Sequence, residues 1–584
     1  MPEMVSDQVQ QDNGVATGDV GPETPPWWRD AVIYQIYPRS WADADGDGLG
    51  DLPGITRRLE HLRDLGVDAV WLSPFYVSPQ HDAGYDVADY RQVDPRFGEL
   101  ADADALVARA HELGIRVIID LVPNHSSWDH VWFQEALAAG PGSPERDRYY
   151  FRDGQGPGGG QPPNNWPSTF GGPAWERLED ADGTPGQWYL HLFDRSQPDF
   201  NWDNPEVGDE FVAVIRYWLD RGVDGFRIDV AHGLVKADGL PDAPKDLGFP
   251  ATPTHDMPMW DQDGVHEIYR RWRKVVEEYA VAQADADRIL CGEAWVTPVD
   301  RLARYIRPDE LHQTFNFDYL MTPWIASEQR NVITTSLGAA AAVGAPQTWV
   351  LSNHDVVRHA TRLGYEQLPG RRNIDGIGPD DPQPDVELGL RRARAATTVM
   401  LALPGSAYLY QGEELGLPDA TLLPDDARQD PTWERSSHQK NGRDGCRVPV
   451  PWEADAPAYG FNDTGRSWLP QPERYGALAP DRQRGVQGST LELYRSLLRL
   501  RREHRLGVSE LHWTSDVSGD VLAFELRADT AGGGEASGPV VRVLANLGPV
   551  PSPLPAGARV LVSSGALDED GSVPTDVAVW FTHE

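Results

Sequence analysis

The sequence predicts an α/β protein: a (β/α)8 TIM barrel with a subdomain inserted after its third strand and a C-terminal antiparallel β-sandwich domain. Three observations predict it. From Trp27 onward, short β-rich runs alternate with longer amphipathic stretches, the pattern of βα units wound round a parallel sheet. Between the third and fourth runs lies an insertion over residues 123–201, rich in Gly, Pro, Asn and Trp. Beyond residue 503 the pattern changes to short alternating strands separated by turn residues.

Taken in order, strands are expected at residues 32–37, 69–72, 116–122, 223–228, 288–292, 314–317, 348–351 and 407–410. Leu59, Leu62 and Leu65, then Leu106, Ala110 and Leu113, recur at helical spacing between the early strands. The connection 123–201 far exceeds the ~4–6 residues of an ordinary loop. Its aromatic residues, among them Trp166, Phe170, Trp175 and Trp188, point to an ordered subdomain. A second irregular stretch, 413–470, follows the eighth strand, so both overhang the barrel end where such folds keep their sites. A helix over 491–502 precedes strands at 521–526, 540–544, 559–562 and 577–581. The expected organisation is a disordered acidic tail 1–26, a barrel from 27–122 and 202–503, the insertion 123–201, and a β domain 504–584.

Charge and cysteine content narrow the function. With 52 Lys and Arg against 90 Asp and Glu, the formal charge of -38 argues against a nucleic-acid partner, whose binding rests on cationic contacts to phosphate. Cys291 and Cys446 are the only cysteines and lie far apart, which fits a reducing compartment. Residues 1–26 hold no Lys or Arg and no apolar h-region, and no apolar run reaches the ~20 residues of a bilayer span. The expected location is the cytoplasm, with no membrane partner.

The chemistry is concentrated at the strand ends. In Gly225-Phe226-Arg227-Ile228-Asp229-Val230, Arg227 and Asp229 are two residues apart and share one face of a strand. A neighbouring arginine is expected to keep Asp229 ionised. Asp120, Glu293 and Asp355 end the third, fifth and seventh strands. They are accompanied by Asn124 and His125, by Trp295, and by Asn353 and His354. Carboxylates, imidazoles and aromatic faces together suit a neutral polyhydroxyl ligand.

Four of these segments resemble the signatures of the α-amylase superfamily (glycoside hydrolase family 13), more narrowly its α-glucosidase and oligo-1,6-glucosidase branch. They are Asp120 to His125, Gly225 to Asp229, Gly292-Glu293-Ala294-Trp295 and Ser352-Asn353-His354-Asp355, in family order. The resemblance implies Asp229 as nucleophile, Glu293 as general acid/base and Asp355 as a transition-state stabiliser in a retaining double displacement. Leu290 and Trp295 are expected to shield Glu293 from water. Arg227, His125 and His354 are implied to bind at the sugar.

Further segments refine the expectation. Asp82 and Tyr85 resemble family residues around the terminal glucose, and Arg447 resembles the arginine that pairs with that aspartate and closes the pocket. Gln197-Pro198-Asp199-Phe200-Asn201 resembles the family's QPDLN signature, and Val230 resembles the residue found after the nucleophile in enzymes acting on α-1,6 bonds. Residues 162–175, with Phe170, resemble the insertion that shapes the entrance. Asp43, Asp45, Asp47 and Asp51 alternate with glycines, and oxygen ligands so spaced can wrap a hard cation. The resemblance adds the Leu49 carbonyl and a structural Ca²⁺ or Mg²⁺, with no organic cofactor.

The expected activity is therefore an exo-acting α-glucosidase on small oligosaccharides, as monomer or homodimer. The alternatives are an oligo-1,6-glucosidase or a same-fold transglucosylase or isomerase such as a trehalose synthase or sucrose isomerase.

Overall fold

The computed structural model describes residues 26–179, 183–244, 256–282, 287–369, 376–514, 519–528 and 539–583. The expected acidic tail, apart from Pro26, lies outside the described residues. Eight parallel strands form the barrel: β1 (Val32–Ile36), β2 (Ala69–Leu72), β3 (Arg116–Leu121), β4 (Gly225–Ile228), β5 (Ile289–Gly292), β6 (Gln313–Thr314), β7 (Thr348–Val350) and β8 (Ser406–Tyr410). The ladder runs β6-β5-β4-β3-β2-β1-β8-β7. Across the remaining seam Asn316 N donates to Thr348 O at 3.2 Å, so the barrel is nearly closed.

Strand β6 is shorter than expected. The Asn316 side chain accepts from Tyr319 N and caps a helix at Phe317–Met321, which takes residue 317 out of the strand.

Period-2 alternation sorts the side chains. Ile33, Trp71, Ile118, Cys291 and Tyr408 fill the barrel interior, while Tyr34, Val70, Ile119, Leu290 and Leu409 face the helices. Continued to the strand ends, the same parity turns Asp120, Arg227, Asp229 and Glu293 inward.

Side-chain caps open several of the helices that cover the barrel. Helix α1 (Leu52–Leu65) starts at Asp51 and stops at Gly66, whose φ of 96° suits glycine. Helix α2 (Leu100–Glu112) opens with a capping box of Glu99 and Asp102. Helices α3 (Pro205–Asp220), α4 (Val265–Ala282) and α5 (Ala326–Ala342) follow. Helix α6 (Val386–Met400) starts at Asp385, and α7 (Thr490–Glu503) at Ser489.

The insertion contains a three-stranded antiparallel sheet of Phe151–Arg152, Pro185–Leu190 and Trp175–Glu179, the second strand central. Its core is not self-contained. Trp166, Trp175 and Leu190 pack with Val230, Met257 and Trp260 from the segment after β4, which fastens the insertion to the residue following Asp229.

The C-terminal domain is an antiparallel sheet of β9 (Ser509–Trp513), β10 (Val521–Ala528), β11 (Val541–Asn546), β12 (Ala558–Ser563) and β13 (Val577–His583), in the order β9-β10-β11-β13-β12. Where the sequence suggests a sandwich, the described residues form this one sheet. One face joins the main core, with Trp580 Nε1 donating to Thr398 O of α6 at 2.8 Å. The other face is covered by Leu554, Leu567 and Val573 from its own loops. Among the described residues no helix is long and apolar enough to cross a membrane.

Candidate active site

Arg227 is the hub. It is 1% exposed, and its Nη1 donates to Asp120 Oδ1 at 2.9 Å and to Asp229 Oδ1 at 2.6 Å, while Nη2 meets Glu293 Oε2 at 2.8 Å. One planar guanidinium thus spans three carboxylates from β3, β4 and β5, and its fork limits how far apart Asp229 and Glu293 can lie. The second oxygen of Asp120 accepts from Trp71 Nε1 at 3.1 Å and from the Tyr85 hydroxyl at 3.0 Å.

Val230 follows Asp229 with a φ of 46°, a costly conformation for a β-branched residue. The turn aims Val230 N at Glu293 Oε2, 3.1 Å away, and Ala231 N at Glu293 O, 2.8 Å away. Trp295, expected as an apolar shield, is instead a donor: its Nε1 reaches Glu293 Oε1 at 3.1 Å.

Arg227 pairs with Asp229 as expected, but it is not the only influence on that carboxyl. Burial pushes the Asp229 carboxyl well above the usual carboxylate range, Arg227 opposes this, and Glu293 and Asp120 add to it. Burial also pushes Asp120 up to about 7 against the pull of Arg227 and Tyr85. A single cation is thus divided among three buried acids.

Asp355 behaves in the opposite way. Burial acts to raise its carboxyl, but His354, Arg443 and Arg447 outweigh that and hold it well below the usual range. Burial keeps His354 neutral. Its Nδ1 lies 2.7 Å from Gln35 Nε2, a donor, so the ring proton is on Nε2, which faces Asp355 Oδ2 at 3.2 Å.

The far wall differs from the sequence expectation. Asp82 pairs with Arg443, not Arg447: Arg443 Nη2 meets Asp82 Oδ1 at 2.8 Å, and its Nη1 and Nε reach Asp355 Oδ1 at 2.9 Å and Asp430 Oδ2 at 2.5 Å. Arg447 donates to Asp355 Oδ1 at 3.0 Å and to His354 O at 2.8 Å. The two arginines flank one 3-10 turn, Asp444–Cys446, so both enter the same wall and spacing alone does not say which reaches Asp82. Burial pushes Asp82 up to about 6 in spite of Arg443.

The remaining predicted residues converge on this wall. Tyr85 stacks on His354 with ring centroids 5.2 Å apart and planes at 6°. Phe170 lies under the Arg443 guanidinium, 5.1 Å from it. Burial pushes His125 down to about 4, so its ring is neutral. Its Nε2 lies 3.2 Å from Tyr85 O. Sequence reasoning missed Arg443 and Lys236. Gln197, quoted only within its motif, donates through Nε2 to Asp82 Oδ2 at 3.1 Å. Lys236 is 3% exposed, pairs with Asp199 Oδ2 at 2.9 Å and donates to Asn124 Oδ1 at 2.9 Å. It is one of four lysines in the chain and lies seven residues past Asp229, a signal that could have found it.

Away from this centre, Asp43, Asp45 and Asp51 bring carboxylate oxygens within 4.8 Å of one another. Asp47 is outside that group: its Oδ1 accepts from Leu49 N at 2.7 Å. Asp51 also caps α1 through Gly54 N, and Asp43 Oδ2 accepts from Asn462 Nδ2 at 2.7 Å. Three hard oxygen donors are the right chemistry for a divalent cation.

Comparison with known proteins agrees with this geometry. Residues 35–509 match the family model for the alpha amylase catalytic domain. The chain is 37% identical over 511 residues to a probable alpha-glucosidase of Rhizobium meliloti (strain 1021), covering 85% of this chain and 86% of that one. It is 34% identical over 514 residues to an oligo-1,6-glucosidase of Heyndrickxia coagulans, covering 82% and 85%. Among solved structures, an alpha-glucosyl transfer enzyme, XgtA, is similar with a TM-score of 0.81 at 36% identity, over 96% of this chain and 100% of that one. The trehalulose synthase MutB from Pseudomonas mesoacidophila MX-45 is similar with a TM-score of 0.79 at 29% identity, over 96% and 100%.

Proposed function

The chain belongs to the α-amylase family of glycoside hydrolases, in its α-glucosidase and oligo-1,6-glucosidase branch, and from that premise we propose that it releases single glucose units from the non-reducing ends of short α-glucosides with retention. The observation that carries this reading is the wall of Asp82, Arg443 and Arg447 beside Asp355. In this reading the ion pairs there form the wall behind the terminal sugar.

The residues take these roles. Asp229 attacks C1, Glu293 protonates the departing oxygen and then activates water, and Asp355, held ionised, offsets the positive charge that develops on the ring. With all three acids ionised, Asp120, Asp229 and Glu293 exceed Arg227 by two negative charges, which favours binding one proton. The reaction needs that proton on Glu293.

Transfer of the glucosyl group to a sugar acceptor is the second reading, favoured by aromatic residues Phe170 and Trp295 near the acids and by the names of the solved relatives. The α-1,6 reading rests on Val230 and on the oligo-1,6-glucosidase relatives. A structural Ca²⁺ or Mg²⁺ would be held by Asp43, Asp45 and Asp51 and would tie this loop to the start of α1. Cys291 and Cys446 are buried and free, which supports placing the enzyme in the cytoplasm.

Products from maltose, isomaltose, sucrose and trehalose test the reading. Net glucose release, with the α-anomer formed first by NMR, is expected; a disaccharide isomer as main product would replace hydrolysis by isomerisation. Asp229→Asn should fold and lose turnover, and an active variant overturns the role given to Asp229.

A further inference from the structure

The two oxygens of Glu293 are not equivalent. Oε2 accepts from Arg227 Nη2 at 2.8 Å and from Val230 N at 3.1 Å, whereas Oε1 accepts from Trp295 Nε1 alone, at 3.1 Å, among the described residues. A carboxyl oxygen that already accepts two hydrogen bonds has no free direction in which to carry a hydrogen. The proton of the acid form is therefore carried by Oε1, whose other lone pair is engaged by the indole.

Trp295 is itself held rigidly. Its ring stacks on Phe317 with centroids 4.0 Å apart and planes at 10°. Phe317 is 3% exposed and opens the helix capped by Asn316. The series runs from a capped helix through a face-to-face aromatic pair to one oxygen of the acid. Trp295 itself is only half buried, so burial does not account for its orientation.

We propose that Trp295 is a positioning residue that selects Glu293 Oε1 as the oxygen giving and taking the catalytic proton, with Phe317 as its backing. The proposal rests on the retaining α-glucosidase reading. In the first step the electron pair of the C1–O bond leaves on the glycosidic oxygen, which takes the proton from Oε1, while an Asp229 lone pair forms the new bond to C1. In the second, water adds to C1, its proton passes to Oε1, and the Asp229–C1 electron pair returns to the carboxylate.

The test compares a leaving group that needs this proton with one that does not. Maltose must expel a glucose alkoxide; α-glucosyl fluoride expels fluoride without protonation. Trp295→Phe keeps the stack and removes the N–H. We expect kcat/KM on maltose to fall about tenfold or more, as for loss of a hydrogen bond to a charged group, and on the fluoride by less than about threefold. With the fluoride as substrate, azide should accelerate the variant and yield α-glucosyl azide, because azide attacks without a general base.

Parallel losses on the two substrates, or no loss on either, overturn the proposal. If Trp295→Phe does not fold, Phe317→Leu, which leaves the indole and removes its backing, carries the same comparison: selective loss on maltose supports the proposal, and parallel loss or none overturns it. A wild-type enzyme that hydrolyses neither substrate sinks the parent reading instead.

Discussion

Arg443 makes the ion pair with Asp82 that the motif comparison assigns to Arg447, and the two can be told apart by substitution. Arg443→Met removes contacts to Asp82, Asp355 and Asp430 together. Hydrogen bonds between charged groups contribute ~1.5–3 kcal/mol each, so kcat/KM on maltose should fall at least about a hundredfold, mainly through KM. Arg447→Lys keeps a cation beside Asp355 and should cost about tenfold. A larger loss for Arg447→Lys would show that the wall has been misassigned. Lys236→Met leaves Asp199 buried without its cation, a change that costs ~3–5 kcal/mol where measured, and urea unfolding should show it. A midpoint within error of wild type would demote Lys236 to a bystander. At this scale the sequence showed the inward acids, because alternation along a strand is local. It did not show which of two arginines meets Asp82, because that depends on how one turn folds against a loop some 360 residues away.

Elements were legible in proportion to how far their patterns are local. The eight barrel strands are apolar runs bounded by turns, and all eight were found near their expected positions. Strand β6 was overextended because Asn316 reads as a strand residue until its side chain caps the next helix. Strand β9 was missed because Glu510 and His512 break its apolar run, and its pairing with β10 stabilises it from outside. The expected antiparallel domain is present, and among the described residues it is a single sheet: the layer beneath it is α6 of the barrel, and no local period encodes such packing. A buried titratable group lies between β8 and α7. Glu413, just past β8, accepts from Tyr410 N at 3.0 Å and from the Tyr494 hydroxyl of α7 at 3.4 Å, and burial pushes it from 4.5 up to about 8. Because its folded value lies above its unfolded one, its contribution to stability is complete below about 4.5 and is lost as pH rises through 8. Glu413→Gln should therefore gain thermal stability relative to wild type as pH is raised from about 5 to 8, then hold that gain. A stability difference independent of pH would mean that Glu413 is ionised throughout.

At the scale of the whole molecule the formal charge of -38 overstates the acidity of the surface, because among the described residues buried carboxylates such as Asp120, Asp199, Asp224 and Asp430 outnumber buried cations such as Arg227, Arg358 and Arg447. Folding must hold many like charges together, and the loop before α1 concentrates the problem, with Asp43, Asp45 and Asp51 converging while Asp43 and Asp51 are buried. Burial pushes both of those carboxyls upward. A divalent cation among them would exchange repulsion for coordination. It would also join three parts of the chain, since Asp51 caps α1 and Asp43 is bonded to Asn462 in the stretch after β8. An ion that binds only the folded state stabilises it by RT ln(1 + [ion]/Kd), about 2.7 kcal/mol at a hundredfold excess over Kd. In a chain of this length, that is an upward shift of a few °C on the order-of-magnitude scale for large domains. Melting in EDTA should therefore fall by a few °C and recover with added Ca²⁺ or Mg²⁺, and Asp45→Asn, which alters only the exposed ligand, should abolish the difference between the two conditions. An identical melting temperature with chelator and with either cation would leave the loop as an acidic turn held by its own backbone hydrogen bonds.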